Sequence, residues 1–429
     1  MSPSSKRSTT KQLMTSILIV AVCAACERAG REKSEDNVKR IRANDGKISV
    51  DKAGDACGFE EAVSFRTATN GDVMIPPSHP RIRYIGRIDC ADGAALRMSH
   101  VGAQIQVRFE GERIEMLLED FGNERYPNFY NVIVDDKPPV KLEVSPKKSR
   151  YPLAEKLGVG VHTVTIFKRT ESCAAGNRNN GKAVFKGFVA SGDAKLHPPP
   201  PMRRPVVEFI GDSITCGYGN EVSTETPEHF SYSTENSNGY LAYGAVATRM
   251  LGGTYLPVAY SGRGLVRNWA GAPEKTLPEM YLDILPDDEK TGVWDVNRIV
   301  PDIVVINLGT NDFSIGVPSE ELDTLTRRFE REYEIFLDTL RRYYPDALIV
   351  LAVGPLLADA HPPEYNALSR VKGVLAGLVR KRMRQGDGQI HLLEHAHQRP
   401  PYGEDWHPTS ERHRIMAEEL VSFISSVER

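Results

Sequence analysis

The first half of the chain alternates apolar and polar residues with a period of two. The clearest segments are QIQVRFEG (104–111), RIEMLLED (113–120), NFYNVIVDD (128–136), HTVTIFKR (162–169) and KAVFKGFV (182–189). Successive residues of a strand point to opposite faces, so this alternation predicts half-buried strands separated by turns. With no helical stretch of useful length among them, residues 53–195 are predicted to form a small antiparallel β-sandwich.

Beyond residue 205 the pattern changes to alternating strands and helices. Apolar runs predict strands at 206–210, 254–260, 304–308, 347–354 and 389–393. Apolar residues at intervals of three and four predict helices over 319–340, 368–383 and 416–427. Such alternation implies a parallel sheet with helices on both faces, here over residues 205–429. The proline-rich segment 196–204, with its run His197–Pro201, is predicted to be a stiff linker between the two domains.

A serine follows the first of these strands directly, in Gly211-Asp212-Ser213. Ligands bind at the carboxyl ends of the strands in such sheets, so Ser213 is a candidate nucleophile there. A serine hydroxyl needs an imidazole to take its proton and a third group to orient that imidazole. His407 and Asp405, in the extended-loop segment DWHP, have the residue types and spacing for those roles.

Two further loop segments follow strands and contain potential hydrogen-bond donors: YSGRG at 260–264 and GTND at 309–312. Ser213 and Gly262 offer backbone N–H groups and Asn311 a side-chain amide, and an acyl-transfer site needs such donors where the oxyanion forms. Gly264 is the alternative to Gly262.

The segments GDSITCGYGNE, YSGRGLVRN, LGTNDFS and DWHP, in this order, resemble the four motif blocks of the SGNH (GDSL-type) hydrolase superfamily. Together they are similar to carbohydrate esterase family two, over roughly residues 75–429. The sandwich predicted at residues 53–195 resembles the jelly-roll accessory domain of that family. This resemblance implies removal of acetyl groups from polysaccharides such as xylan or mannan, with Ser213, His407 and Asp405 as the triad. It also implies two alternatives to Asp405, namely Glu404, three residues before the histidine, and a backbone carbonyl.

Composition narrows the possible partners and the compartment. A formal net charge of -3, from 54 basic and 57 acidic residues, argues against nucleic-acid binding.

The N-terminal residues predict export. Lys6, Arg7 and Lys11 precede the apolar stretch 13–25, which predicts a secretory signal, followed by a polar tether over 27–52. The signal ends in a sequence that resembles a lipobox, so Cys26 is the expected lipid attachment point in the bacterial cell envelope. Cleavage at an Ala-x-Ala-like site and free secretion are the alternative.

Four cysteines remain outside the signal: Cys57, Cys90, Cys173 and Cys216. An exported protein can form disulfides, and four cysteines allow three pairings. We expect Cys90 to pair with Cys173 because both lie in the predicted sandwich. We expect Cys216 to be a small buried side chain.

Other residues that could carry chemistry are given simpler roles. His391, His395 and His397 lie in or directly after a predicted strand rather than on a helix and gather no other ligands, so no metal or cofactor is predicted. Arg263 and Arg267 are taken as structural. Trp269 and Trp406 are candidates for stacking on sugar rings, and both could equally wall the pocket.

Three functions fit the sequence. The first is an O-acetyl esterase acting on polysaccharide or oligosaccharide. The second is a lipase, lysophospholipase or thioesterase with the same catalytic residues and a deeper apolar slot. The third is a glycan-binding surface protein with an inactive hydrolase fold, which the complete set of motif blocks disfavours.

Overall fold

The computed structural model describes residues 55–59, 66–67, 71–172, 180–226, 232–286, 288 and 291–427, all within one compact unit, Asp51–Arg429. The predicted signal and tether (1–52), including Cys26, lie outside the described residues, as does Cys173. No helix in the described part of the chain is both long and apolar enough to cross a membrane.

The amino-terminal part is a sandwich of two antiparallel sheets. One sheet contains β1 (Arg66–Thr67), β2 (Val73–Ile75), β4 (Ile88–Asp89), β5 (Leu96–Met98), β7 (Ile114–Asp120), β10 (Arg150–Ala154) and β12 (Ala183–Ala190). The other contains β3 (Ile82–Ile85), β6 (Gln104–Glu110), β8 (Asn128–Val134), β9 (Val140–Val144), β11 (Val161–Lys168) and β13 (Lys195–His197). Buried and more exposed residues alternate along β6 and β7, as their sequence predicts.

The five segments singled out from the sequence are β6, β7, β8, β11 and β12. The shorter strands have weaker patterns: β10 contains Pro152 and pairs only with β7, which is the edge position that a proline tolerates. The predicted linker is not free of structure either. Its first residues belong to β13, which pairs with β6, and the Arg83 guanidinium donates to the Pro200 carbonyl.

The carboxyl-terminal part is a five-stranded parallel sheet with the order β15-β14-β16-β17-β18. Its strands are β14 (Val206–Gly211), β15 (Thr254–Ala259), β16 (Ile303–Asn307), β17 (Leu348–Val353) and β18 (Ile390–Glu394). The helices are α1 (Ser213–Cys216), α2 (Tyr243–Met250), α3 (Leu277–Met280), α4 (Leu322–Tyr343), α5 (Ala367–Arg384) and α6 (Ser410–Val427). All residues of β14 to β17 are buried, as expected for strands covered on both faces.

The strand order reverses direction at β14, which lies between β15 and β16. In doubly wound sheets the crevice at such a switch point, at the carboxyl ends of the strands, is where ligands bind. Ser213 follows β14 and Asn311 follows β16, so both emerge at this crevice. The architecture of a sandwich followed by a parallel α/β sheet confirms the predicted fold class.

The sandwich and the parallel sheet share a buried ion pair. Arg87 follows β3 and lies 3.4 Å from Glu208 in the middle of β14, and neither side chain is exposed to solvent. The Tyr281 hydroxyl donates to the same carboxylate at 2.7 Å, while the guanidinium lies over the Trp294 ring at 4.6 Å. A charge from the sandwich is therefore neutralised inside the core of the α/β part.

The disulfide pairing predicted from the sequence is wrong. Cys90 is bonded to Cys57, whose Cα atom lies 5.5 Å away, and not to Cys173. The prediction failed because Cys57 was left without an assigned neighbour, whereas the backbone N–H of Ala56 bonds to the Tyr84 carbonyl and holds this segment beside β3. Cys216 is free and buried, as expected.

Candidate active site

Ser213 is held at a sharp turn from strand to helix. It is the first residue of α1, and the Asp212 side chain caps that helix by accepting from the Ile214 N–H at 3.0 Å. A Cβ atom on Gly211 would lie 2.0 Å from the Thr215 hydroxyl, so only glycine allows the strand to end this close to the helix. The turn places the serine hydroxyl at the end of β14.

The structure brings His407 to this hydroxyl across 194 residues of sequence. Its Nε2 atom lies 2.8 Å from Ser213 Oγ, which is hydrogen-bond distance. The contact has the geometry that a general base needs in order to take the proton of a nucleophile.

The other imidazole nitrogen faces backbone rather than a carboxylate. His407 Nδ1 lies 3.0 Å from the Glu404 carbonyl oxygen and 3.1 Å from that of Asp405. A carbonyl oxygen can only accept, so Nδ1 must carry the proton, and the lone pair of Nε2 is left to accept from Ser213. The tautomer required for catalysis is thus set by the main chain.

The two carboxylates considered as orienting groups have other partners. Asp405 accepts from the Tyr218 hydroxyl at 2.6 Å. Glu404 accepts from the Ser233 N–H at 2.9 Å and from the Asn236 amide at 2.7 Å. The Asp405 carboxylate therefore does not take the orienting position predicted for it, because the turn points the carbonyl groups, and not the side chain, at the imidazole.

The turn before His407 adopts an uncommon backbone conformation. Asp405 and Trp406 both have left-handed φ angles, 48° and 61°, although neither is glycine. The His407 N–H closes the turn on the Glu404 carbonyl at 2.9 Å, and the Gly403 N–H bonds to the His407 carbonyl at 2.8 Å. Left-handed residues of this kind persist where surrounding contacts hold them, and often at functional sites.

The environment of the imidazole favours its neutral form. Burial is the main cause that lowers the pKa of His407, and the Glu404 carbonyl and the Asp405 charge oppose it in part. The Tyr218 ring stacks on the imidazole with 4.2 Å between ring centroids. A neutral imidazole at neutral pH is the form that can act as a base.

Of the two candidate glycines for the oxyanion site, Gly262 has the freer N–H group. Among the described residues no hydrogen bond is made by the Gly262 N–H, whereas the Gly264 N–H donates to the Asn268 side chain at 3.2 Å. Gly262 has a φ of 76°, and a Cβ atom there would meet only the Trp269 Cβ, at 3.9 Å. The Ser213 N–H likewise has no acceptor in the described part of the chain.

Asn311 lies in the same group of loops, but its amide is engaged. Nδ2 donates to Asp212 Oδ2 at 3.1 Å and to the Arg263 carbonyl at 2.9 Å. It thereby ties the serine turn to the loop that carries Gly262. The neighbouring Asp312, fully buried, accepts from the backbone N–H groups of residues 265, 266 and 267 at 2.7 to 3.0 Å.

Both tryptophans flank the site and are about half exposed. Trp406 precedes His407, and the Trp269 N–H donates to the Gly262 carbonyl at 2.9 Å, which places it beside the glycine loop. Arg267 bonds to Ser314 and to the Ile315 carbonyl, and Arg263 pairs with Glu274 at 3.3 Å, so both arginines brace this loop.

The three histidines set aside in the sequence also have ordinary neighbours. His395 bonds to Glu419 at 2.7 Å, His397 to the Leu357 carbonyl at 3.2 Å, and His391 lies near the Phe423 ring. Across the described ranges no cluster of three or more His, Cys, Asp or Glu side chains could hold a metal ion.

Sequence reasoning missed the residues that support the site. Tyr218 stacks on His407, and Asp212 and Asp312 fix the loops through backbone N–H groups. A signal for the two aspartates was present, because each follows a buried strand within a motif block and had no assigned role. Tyr218 also lies in a motif block, GDSITCGYGNE, but its role depends on contacts that join segments 187 residues apart.

Comparison with known proteins agrees with both parts of the chain. The family described as carbohydrate esterase 2 N-terminal matches residues 84–200, and the GDSL-like lipase/acylhydrolase family matches residues 209–415. A solved family two carbohydrate esterase from Clostridium thermocellum, in complex with cellohexaose, is 33% identical, with a TM-score of 0.71, and the match covers 80% of this chain and 98% of that one. The chain belongs to carbohydrate esterase family two.

Two curated relatives extend the comparison for this family two esterase. Cellulase/esterase CelE of Acetivibrio thermocellus is 34% identical over 351 residues, which are 81% of this chain and 40% of CelE, so the chain spans well under half of that relative. An acetylxylan esterase/glucomannan deacetylase of Cellvibrio japonicus is 26% identical over 85% of this chain and 93% of its own length.

Proposed function

We propose that this chain is a serine esterase that removes O-acetyl groups from polysaccharide or oligosaccharide of the xylan or mannan type. The observation that carries the proposal is the 2.8 Å contact between Ser213 Oγ and His407 Nε2, with Nδ1 held by two backbone carbonyls. Family membership and the name of the Cellvibrio relative support acetyl esters of xylan and glucomannan as the substrate class.

In the proposed mechanism Ser213 Oγ attacks the acetyl carbonyl carbon while His407 Nε2 takes its proton. The tetrahedral oxyanion is received by the N–H groups of Ser213 and Gly262, which have no other described acceptor. Asn311 stays the predicted third donor, for which its bond to Asp212 would have to yield. The protonated imidazole then returns the proton to the departing sugar oxygen, which leaves an acetyl-enzyme, and a water activated by His407 hydrolyses it.

The exposed tryptophans support a carbohydrate substrate. Trp269 is bonded through its backbone to the Gly262 loop, and Trp406 immediately precedes His407; both are about half exposed. Aromatic faces of this kind suit the C–H faces of sugar rings. We assign both to binding of the sugar chain that carries the acetyl group.

The decisive experiment measures acetate release by the purified chain from acetylated xylan and acetylated glucomannan, with nitrophenyl acetate and nitrophenyl octanoate assayed beside them. We expect release from the polysaccharides, a preference for acetate over octanoate, and a loss of turnover of roughly 10⁶ in Ser213→Ala. Unchanged circular dichroism and Tm in the variant would show that the fold is intact. Preference for octanoate would assign the chain to the long-chain esterases, and full activity of Ser213→Ala would exclude the nucleophile.

We also propose that the chain is exported and attached to the cell envelope through a lipid on Cys26, with no other membrane contact. The signal-like sequence supports this, as does the bond between Cys57 and Cys90, since disulfides persist in oxidising compartments. Fractionation of cells that express the full chain and Cys26→Ala tests it: the variant should move from the membrane fraction to the soluble one. An identical distribution of the two would favour free secretion.

A further inference from the structure

The loop that carries Gly262 is held on one side by its own domain. Asp312 receives three backbone N–H groups of residues 265–267, and Asn311 donates to the Arg263 carbonyl at 2.9 Å. These contacts fix the part of the loop that follows Gly262. They leave open what fixes the part that precedes it.

The part before Gly262 is held at two points: the Tyr260 N–H donates to the Gly211 carbonyl at 3.2 Å, and the next residue is held from the sandwich. The Ser261 N–H donates to Glu171 Oε2 at 3.2 Å, and Glu171 lies three residues beyond the end of β11. Its side chain is buried, with 4% of the residue exposed. The Ser261 N–H belongs to the peptide group between residues 260 and 261. The next peptide group carries the Gly262 N–H, which is the proposed oxyanion donor.

The same short segment of the sandwich also binds the loop over residues 235–239. Arg169 donates to the carbonyls of Glu235 and Ser237 at 2.9 and 3.2 Å, and its own carbonyl accepts from the Gly239 N–H at 3.0 Å. The neighbouring Asn236 holds the Glu404 carboxylate, at the start of the turn that leads to His407. The end of β11 is thus anchored to the α/β part at several points, and these contacts fix the position of the Glu171 backbone relative to Ser261.

We propose that Glu171 is a positioning residue for the oxyanion site, supplied by the sandwich to the catalytic loop. By accepting from the Ser261 N–H, it fixes the orientation of the following peptide and so aims the Gly262 N–H at the developing oxyanion. What matters in this role is that the Glu171 side chain is long enough to bring an acceptor oxygen to the Ser261 N–H. The negative charge of the carboxylate is not required. The inference rests on the proposed esterase function, and it gives the sandwich a part in catalysis that needs no glycan binding.

Two conservative variants separate reach from charge. Glu171→Gln keeps an acceptor oxygen at the same distance without the charge, whereas Glu171→Asp keeps the charge and withdraws the acceptor by one methylene. We expect Glu171→Gln to retain kcat within about threefold. We expect Glu171→Asp and Glu171→Leu to lose at least about tenfold in kcat, up to the roughly 10²–10³ that removal of a whole oxyanion donor costs. KM should change little in all three.

Glu208→Gln is the matched control, because Glu208 is also a buried glutamate that joins the two parts of the chain, through Arg87. It should lower Tm while leaving kcat near the wild-type value. The kcat losses at Glu171 should be equal for nitrophenyl acetate and acetylated xylan, because the oxyanion is common to both substrates. Assays are run well below the Tm of each variant. The concentration of active sites is measured by titration with a phosphorylating ester, so that unfolded protein does not lower the apparent kcat.

Three results would overturn the inference: kcat of Glu171→Asp within twofold of wild type, kcat of Glu171→Gln as low as that of Glu171→Asp, or losses in kcat that track Tm as in the Glu208 control. Failure of the proposed function gives a different result, because wild-type chain would then release no more acetate than Ser213→Ala.

Discussion

Replacement of Asp405 by Asn tests whether the main chain orients His407. The change suits the site, because Asn tolerates the left-handed backbone of Asp405 (φ 48°) and still offers an oxygen to the Tyr218 hydroxyl, now 2.6 Å from the carboxylate. It removes only the negative charge. The contacts of His407 Nδ1 with the carbonyls of Glu404 and Asp405 stay in place.

Orientation by the Asp405 carboxylate and orientation by the backbone carbonyls predict very different losses of kcat in Asp405→Asn. In triads whose carboxylate sets the tautomer, the corresponding substitution lowers kcat about 10⁴-fold. Here the Asp405 charge acts on the imidazole only through space, and it ranks behind burial and the Glu404 carbonyl among the causes that set the pKa of His407. A change of one pKa unit corresponds to about 1.4 kcal/mol, or tenfold. We therefore expect kcat to fall by less than about tenfold.

The pH profile gives an independent reading of the same variant. The Asp405 charge raises the pKa of His407, so its removal lowers that pKa and lets the neutral base persist to lower pH. The acid limb of kcat/KM, which should already lie below the usual histidine range of about 6.5, should move to still lower pH in Asp405→Asn.

The assay is hydrolysis of nitrophenyl acetate between pH 4 and 8, with Tyr218→Phe and Ser213→Ala as controls. Tyr218→Phe removes the hydroxyl that binds Asp405 and keeps the ring stacked on His407, so it too should have a small effect. A loss of 10³ or more in Asp405→Asn, with KM, Tm and the Tyr218→Phe rate unchanged, would refute main-chain orientation of the imidazole.

Three further substitutions test the packing and the substrate site. Arg87→Met leaves the Glu208 carboxylate buried and unpaired, so urea unfolding should show that the free energy of unfolding falls by about 3–5 kcal/mol. Adding Glu208→Gln should recover most of this loss, and no recovery would mean that the unpaired charge is not its cause. Replacement of Cys57 and Cys90 by Ala opens a link across 33 residues and should cost about 4 kcal/mol by the loop-entropy relation; an unchanged urea midpoint would argue against the disulfide. Trp269→Ala should raise KM for acetylated xylan several-fold and leave KM for nitrophenyl acetate nearly unchanged, and equal effects on both would remove its role in sugar binding.

The architecture was accessible from the sequence because its signals are local. Period-two alternation located β6, β7 and β12, and the apolar stripe that predicted α4 is buried along its length. The helix α2 (Tyr243–Met250) was missed, since its buried face is built largely from Gly244, Ala245 and Ala247, which give little hydrophobic contrast. The family resemblance, confirmed by the comparisons, needed only the order of four short motif blocks.

The candidate site was less accessible, because much of it depends on directions that a sequence does not contain. The structure brings Ser213 and His407 together, yet the orientation of the Asp405 side chain depends on a left-handed turn that no residue type announces. The cysteine pairing failed for a similar reason, as it depends on which segments lie side by side. The contribution of Glu171 to the Gly262 loop joins residues 90 positions apart and has no local signature.

The ion pair of Arg87 with Glu208 has a consequence for how this chain can be recombined. A binding module that is linked only by a flexible tether can be exchanged between enzymes, since each piece is complete without the other. Here, cutting the chain between β13 and β14 would leave the Glu208 carboxylate without its countercharge in one fragment and the Arg87 guanidinium without its carboxylate partner in the other. We expect neither fragment to fold by itself, and we expect the two halves to have been inherited together as a single evolutionary unit.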